Sequence, residues 1–99
     1  MIRGTTPTHT FIIPLDTSMI AEVMVIYAQD DQEVFHKDTY DCEMDGNEIS
    51  VKLTQEETLM FNPLRNVQIQ LRLLTTGGEA LACIPSVDTL QNVLNDEVL

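Results

Sequence analysis

Residues 67–73 carry the pattern that most limits the fold of this chain, a strict alternation of apolar and polar side chains. The segment runs in the order Val67, Gln68, Ile69, Gln70, Leu71, Arg72 and Leu73. Successive side chains of a β-strand point to opposite faces, so the alternation predicts a strand with one face in the core and the other in solvent. Shorter segments of similar character recur along the chain, and together they predict a protein built from short strands.

Length and composition favour one folded domain. The chain has 99 residues, of which 43% are hydrophobic and 21% charged, with only four Gly and four Pro. Because domains span about 50 to 200 residues, the segment 1–99 is predicted to form a single domain. This composition differs from that of a disordered or collagen-like chain and indicates a packed core.

Acidic residues dominate the charge. Sixteen Asp and Glu oppose five Lys and Arg, which gives a formal net charge of -11. Binding to nucleic acid or to an anionic membrane surface depends on contacts with phosphate groups, so this balance predicts neither partner. The first residues show no signal peptide, and the apolar stretch 23–28 is shorter than the about 20 residues that span a bilayer.

Cys42 and Cys83 are the two cysteines. They form no Cys-x-x-Cys pair and have no histidine at the spacing of a zinc ligand, so the sequence predicts no sulfur-bound metal. Without an export signal, we expect both thiols to be reduced and semi-buried. A disulfide between them is the alternative.

The first predicted strand covers residues 8–13. It is rich in β-branched and aromatic side chains and ends before Pro14, which is typical of an edge strand. Edge strands are natural templates for docking, so this segment is a candidate contact surface.

The second predicted strand lies within residues 19–29 and is apolar on both faces. One face carries Val23, Val25 and Tyr27, and the other carries Met24 and Ile26. Such a strand is either central and covered on both faces, or it presents one face to a partner.

Asp45-Gly46 is the strongest turn signal in the chain. A two-residue turn of this type supplies the positive φ angles that match the twist of a hairpin. A turn centred there predicts three cross-strand pairs: Cys42 with Ile49, Tyr40 with Val51, and, on the opposite face, Glu43 with Glu48. A further strand is predicted before it, over residues 33–40.

Thr54 and Glu57 have the spacing of a capping box, which predicts one helical turn near residues 55–60. Gly77-Gly78 predicts a turn into a strand over residues 79–86. The secondary structure of the tail, residues 87–99, is not decided by its pattern. Its apolar residues are spaced by three and four positions, which suits a short helix.

These elements predict an all-β fold, an antiparallel β-sandwich of six or seven strands with one short helical turn. A helical turn between the fifth and sixth strands is typical of immunoglobulin-like topologies, so an immunoglobulin-like sandwich is the predicted type. A small barrel is the alternative, because periodicity does not encode strand order.

No set of residues predicts a reaction. Asp41, Glu43 and Asp45 match the first half of a calcium-binding loop, but Lys52 stands where a bidentate Glu is needed, so they are weak metal candidates. His9 and His36 have no nucleophile or carboxylate at catalytic spacing. We therefore expect no catalytic residues, no cofactor and no metal.

Ten of the sixteen acidic residues fall between Asp30 and Glu57. A solvated region of turns explains this clustering. The alternative is a nucleic-acid mimic, which would present regularly spaced carboxylates in place of phosphates to a host nucleic-acid enzyme.

Four segments carry a resemblance to known proteins: residues 2–11 (IRGTTPTHTF), 26–29 (IYAQ), 49–59 (ISVKLTQEETL) and 67–72 (VQIQLR). The chain resembles short phage and prophage proteins of Gram-positive bacteria, and it is similar to the immunoglobulin-like domains of phage tail and baseplate proteins. The resemblance implies a virion or assembly component, located in the virion or in the host cytoplasm during assembly, and a final strand in the tail. It supplies no active-site residues, and the segment 83–86 departs from a regular strand.

The leading functional hypothesis is therefore a non-enzymatic structural or assembly protein that binds other virion proteins or copies of itself. Its predicted contact residues are Met24 and Ile26 on one strand, and Phe11 and Ile13 on the edge strand. A small acidic inhibitor of a host nucleic-acid enzyme is the second hypothesis. A calcium-dependent adhesion or carbohydrate-binding module at residues 41–47 is the third.

Overall fold

Eight strands form two antiparallel sheets that pack together, and the computed structural model describes all of residues 1–99. The strands are β1 (Thr8–Ile12), β2 (Ile20–Gln29), β3 (Gln32–Asp38), β4 (Cys42–Asp45), β5 (Glu48–Lys52), β6 (Val67–Thr75), β7 (Ala80–Ala82) and β8 (Ser86–Asp88). One α-helix, α1 (Gln55–Leu59), and two 3-10 turns, Thr17–Met19 and Thr39–Asp41, complete the chain. The predicted all-β sandwich is confirmed. The strand count is eight rather than six or seven, because the chain after Gly78 forms two short strands instead of one.

The two sheets differ in width. The smaller sheet has the order β1-β5-β4, so β1 lies at one edge, as the sequence predicted. The larger sheet has the order β3-β2-β6-β7, and β8 pairs with β6 farther along the strand. Both β2 and β6 are therefore central strands with hydrogen-bonded neighbours on each side.

The core lies between the inner faces of the sheets. The alternation over residues 67–73 of β6 holds, since the four apolar side chains of this segment are buried and its polar ones are not. β2 contributes the face that contains Val25 and Tyr27, both fully buried. Thirteen apolar residues make up this core: Ile13, Ile20, Val23, Val25, Tyr27, Ile49, Val51, Leu53, Phe61, Val67, Ile69, Leu71 and Leu73.

The β4–β5 hairpin forms with a different register from the predicted one. Its loop is Gly46-Asn47, because Asp45 pairs with Glu48. Gly46 has a φ of 57° and stands at the first central position, the place where a type II′ turn requires glycine. The register moves by two residues, and the strand period is also two, so the predicted faces of Cys42 and the core residues of β5 are retained.

All three pairs predicted for this hairpin are consequently wrong. Cys42 pairs with Val51, and Glu43 pairs with Ser50 rather than with Glu48. Tyr40 has no strand partner at all, because the chain leaves β3 at Asp38 and forms a 3-10 turn over Thr39–Asp41. Its side chain is 97% exposed instead of lying in the core.

The capping box before α1 is confirmed. The Thr54 hydroxyl accepts from the Glu57 amide at 3.1 Å, and the Glu57 carboxylate accepts from the Thr54 amide at 2.8 Å. The same carboxylate accepts from the Lys37 ammonium on β3 at 2.8 and 2.7 Å. These charged contacts lower the pKa of Glu57 despite its partial burial, which opposes the shift. The Glu57 side chain thus caps the N-terminus of α1 and links the helix to β3.

The tail forms neither a helix nor a long last strand. After β8 at Asp88, residues 89–99 contain only an isolated parallel bridge between Ile2 and Gln91. The Arg3 amide donates to the Gln91 carbonyl and the Gln91 amide to the Met1 carbonyl, each at 2.9 Å. This bridging to the N-terminal residues requires extended backbone, which excludes the helix that the spacing of Leu90, Val93 and Leu94 suggested.

We predict that Thr58→Val destabilises the protein by about 1 to 3 kcal/mol. The Thr58 side chain is fully buried, and its hydroxyl accepts from the Gly4 amide at 3.0 Å and donates to the Thr5 carbonyl at 2.9 Å. Valine keeps the shape and leaves both backbone groups without this partner. Urea unfolding measures the change, and Thr58→Ser, which keeps the hydroxyl, is the control. An equal or greater loss in the serine variant would contradict the assignment.

Candidate docking surfaces

The face of the larger sheet that points away from the core carries Met24 and Ile26. We call this surface the outer face. Both side chains are half-buried, while Val23, Val25 and Tyr27 on the opposite side of β2 are in the core. The sheet register adds further apolar side chains to the same surface: Ala28, Leu74, Ala80, Ala82 and Val87. The sequence allowed β2 to be central and covered on both faces, or to present one face to a partner. In the structure β2 is central in its sheet, but its outer apolar face is partly exposed.

A shallow depression of about 520 Å³ lies at one end of the outer face. Met24 sits there between two cross-strand neighbours of opposite charge, Asp38 on β3 and Arg72 on β6. The exposed Tyr40 ring stands at its rim. The outer face thus carries apolar side chains on β2 and on β7 and β8, with the polar row of β6 between them.

The edge strand β1 divides its predicted contact residues between core and surface. Ile13 is only 6% exposed and belongs to the core, so it is removed from the contact surface. Phe11 is half-buried and packs against the core cluster. Ile12, which was not a predicted contact, is 75% exposed.

A second cleft, of about 470 Å³, lies between β1 of the smaller sheet and β7 of the larger one. We call it the edge cleft. Its lining residues are uncharged and mostly apolar: Thr10, Phe11, Ile12, Ile13, Pro14, Leu15, Leu71, Leu73, Leu81, Ala82 and Cys83. Leu81 pairs with the core residue Leu73 and therefore points to the inner side of its sheet, yet it is 41% exposed.

The exposure of Leu81 follows from the unequal widths of the sheets. The larger sheet is four strand positions wide, from β3 to β7, and the smaller sheet has three strands. The larger sheet is therefore wider by one strand spacing, about 4.8 Å. Beside β1, one strand position of the larger sheet has no strand of the smaller sheet opposite it. The edge cleft is the space at this position.

Both strands that border the edge cleft have a free backbone side. In β1 the bonds from the Ile13 amide to the Asn47 carbonyl and from the Leu53 amide to the Pro7 carbonyl mark the pairs that face β5. Hydrogen-bonded pairs recur at every second residue, so the amides and carbonyls of Thr8, Thr10 and Ile12 point away from β5. These groups are available to another strand.

β7 also has one free backbone side. The Cys83 amide donates to the Leu71 carbonyl, and the Thr75 amide donates to the Glu79 carbonyl. The backbone amides and carbonyls of the odd-numbered residues in this segment therefore point toward β6, and those of Ala80 and Ala82 point away from it. Two unpaired strand edges thus border one apolar cleft.

The three weak metal candidates do not meet in one site. Asp41 closes the 3-10 turn, since its carboxylate accepts from the Asp38 amide at 3.0 Å. Glu43 and Asp45 lie on the outer side of the smaller sheet, beside Ser50 and Glu48. No group of three or more His, Cys, Asp or Glu side chains is placed to hold a metal ion.

The two histidines have separate surroundings. His9 projects inward from β1, and its Nδ1 lies 2.7 Å from the hydroxyl of the buried Tyr27. Burial lowers the pKa of His9, while the Asp88 carboxylate opposes this shift. His36 is exposed on β3, 3.1 Å from the Glu33 carboxylate.

Several acidic residues of the segment 30–57 are held in local contacts. Asp30 accepts from Arg65, Asp31 accepts from Gln68, and Asp38 accepts from the Tyr40 amide. Asp30 and Asp31 have φ angles of 51° and 61°, as a tight hairpin turn requires. Glu43, Asp45 and Glu48 share the outer side of the smaller sheet. Most of the acidic groups therefore lie in turns or on this one surface, while Glu33 lies on β3 and Glu56 and Glu57 lie in α1.

Sequence reasoning missed the edge cleft. The residues that form it were visible as an edge strand and a strand after Gly78, but their proximity depends on sheet order. It also missed Arg3, whose guanidinium donates to the Phe61 and Leu59 carbonyls at 2.9 and 2.8 Å and so closes the end of α1. A cation near a helix end is a known signal, but here the cation lies more than 50 positions away in sequence.

We predict that stability falls as the pH drops below the ordinary histidine pKa of about 6.5, in part because of His9. The native state resists protonation of His9, whereas the unfolded chain takes up the proton near its ordinary pKa, so protons favour unfolding. Urea unfolding at about pH 7.5 and about pH 5.5 measures the loss. His9→Gln, which can still hydrogen-bond to Tyr27, should lose less between the two values. An equal pH dependence in both proteins would contradict the role of His9.

We predict that Cys83 reacts with iodoacetamide much faster than Cys42. Both thiols are free, but Cys83 is exposed at the edge cleft, so the prediction that it is semi-buried is wrong. Cys42 is half-buried, and burial raises the pKa of its thiol, which reduces the reactive thiolate. Peptide mass spectrometry over a time course gives both rates, with Cys83→Ser and Cys42→Ser assigning them. Faster labelling of Cys42 would contradict the structure.

Comparison with known proteins gives no relative. No protein-family model matches the chain, and no curated protein and no solved structure matches it significantly. No helix in the structure has the length and apolar character of a membrane-spanning segment.

Proposed function

We propose that this chain is a non-enzymatic structural or assembly protein that acts by docking another protein at the edge cleft. The observation that carries the proposal is Leu81, an inward-facing core-type side chain that its own domain leaves 41% exposed. Apolar surface of this kind is stabilised when a partner removes it from water. Free backbone groups on both bordering strands provide the directional contacts that such a partner needs.

Met24 and Ile26 are proposed as contacts of a second surface, the outer face. Both are half-buried on the central strand β2, and their neighbours across the sheet are polar or charged. Phe11 belongs to the edge cleft, where its ring lines the wall. Ile13 is buried in the core behind that wall and is not proposed as a partner contact.

The biological setting is proposed from the resemblance alone. An immunoglobulin-like domain of a phage or prophage particle fits an acidic β-sandwich with an open edge, and virion proteins or further copies of the chain are then its partners. The alternative function, an acidic inhibitor of a host nucleic-acid enzyme, would use the carboxylates of Glu43, Asp45 and Glu48 instead.

A photo-crosslinking experiment tests the proposal. The photoreactive amino acid p-benzoylphenylalanine replaces Leu81 in the edge cleft, Ile26 on the outer face, or Ser50 on the outer side of the smaller sheet. Each variant is expressed in the cells that naturally produce the chain, and crosslinked proteins are identified by mass spectrometry. We expect one defined protein to be captured from position 81 and not from position 50.

The position and the identity of the captured protein separate the hypotheses. A virion protein captured at position 81 supports the proposed function and its setting. A nucleic-acid enzyme captured at position 50 supports the inhibitor instead. Capture that is equal at all three positions, or absent at position 81, contradicts docking at the edge cleft.

A further inference from the structure

We infer that the edge cleft binds an extended segment of a partner protein, which adds to the smaller sheet as a fourth strand beside β1. The inference rests on the proposed function and names the partner's chemistry: apolar side chains at alternate positions and a basic residue at the end nearest Ile12. The smaller sheet is one strand narrower than the larger sheet. The empty position beside β1 is the space that the segment would fill.

Backbone geometry favours a strand over a loop or a helix. The free amides and carbonyls of Thr8, Thr10 and Ile12 recur at every second residue along one straight edge. Only an extended backbone offers complementary groups at that repeat. Thr10 and Ile12 line the cleft although their side chains lie on the outer side of the sheet, so this free edge faces the space to be filled.

The cleft walls determine the side chains of the segment. Alternate side chains of an added strand would point inward, onto Phe11, Leu81 and the Leu71 and Leu73 side chains behind them. All of these are apolar, and the cleft lining carries no charged residue. The inward set must therefore be apolar, since a buried polar or charged group would find no partner there.

Charge favours a basic segment over a second copy of this chain. Around Ile12 the rim is acidic: Glu48 is its cross-strand neighbour and pairs in turn with Asp45. Backbone bonds from Thr17 to Gly46 and from Thr76 to Met19 hold Asp16 and Glu79 in turns at the same end. Two copies, each with a net charge of -11, would repel each other, whereas a lysine or arginine at this end is attracted.

Synthetic peptides of about seven residues test the inference, because β1 itself is five residues long. The probe has valine at alternate positions, threonine between them, and lysine at both ends. Binding is followed by fluorescence anisotropy of the labelled peptide. Two further peptides carry N-methyl groups on one alternate set of amides or on the other. Only one set faces β1, so we expect one methylated peptide to bind at least about tenfold more weakly and the other to bind unchanged.

Matched variants locate the peptide on the protein. Thr10→Pro removes an amide that faces the cleft and not β5, a position at which an edge strand tolerates proline, and it should weaken binding. Thr10→Val keeps the amide and should bind as the original chain does. A peptide with glutamate in place of lysine should bind more weakly, and one with scrambled order should not bind.

The outcomes distinguish this inference from the proposed function. Equal binding of both methylated peptides, or no binding of the alternating peptide, overturns strand addition. If Leu81 is still crosslinked to a partner in cells, docking at the cleft stands and only the strand geometry fails. If the chain itself shields Cys83 from alkylation with rising concentration, a second copy occupies the cleft and the basic partner is excluded.

Discussion

The pairing of β2 with β6 is the interaction on which the rest of the structure depends. These strands are hydrogen-bonded along most of their length, and each has a further partner on its other side. Their inner faces supply Val25, Tyr27 and Leu71 to the core, against which the smaller sheet packs. Because a strand reverses its side chains at every residue, the same pairing also fixes the outer face that holds Met24 and Ile26.

The smaller sheet covers this central pair incompletely, and the candidate function follows from that shortfall. β1, β5 and β4 bury Tyr27 and its neighbours but stop one strand short of β7. A closed sandwich would bury Leu81 and pair the outward backbone groups of β1. In this chain Leu81 stays exposed and the outward backbone groups of β1 stay unpaired on the same side of the molecule. One added strand would cover Leu81 and pair those backbone groups.

Local features were predictable from sequence, and those that depend on strand order were not. The alternation of β6 and the Thr54–Glu57 capping box follow from residues close in sequence, and both are confirmed. The hairpin loop is Gly46-Asn47 instead of Asp45-Gly46. Both pairs are good turn formers, and both registers keep the same side chains in the core, so the local sequence does not distinguish them. Ile13 was predicted as a contact but completes the core, and the edge cleft required knowing that β1 ends up beside β7.

Amide hydrogen exchange on the free protein, followed by NMR, tests the open edge most directly. The amides of His9 and Phe11 bond to β5, whereas those of Thr10 and Ile12 point into the edge cleft. We predict strong protection at His9 and Phe11 and exchange near the unprotected rate at Thr10 and Ile12. Protection of all four amides would mean that the edge is already paired in the free protein, and it would contradict the account.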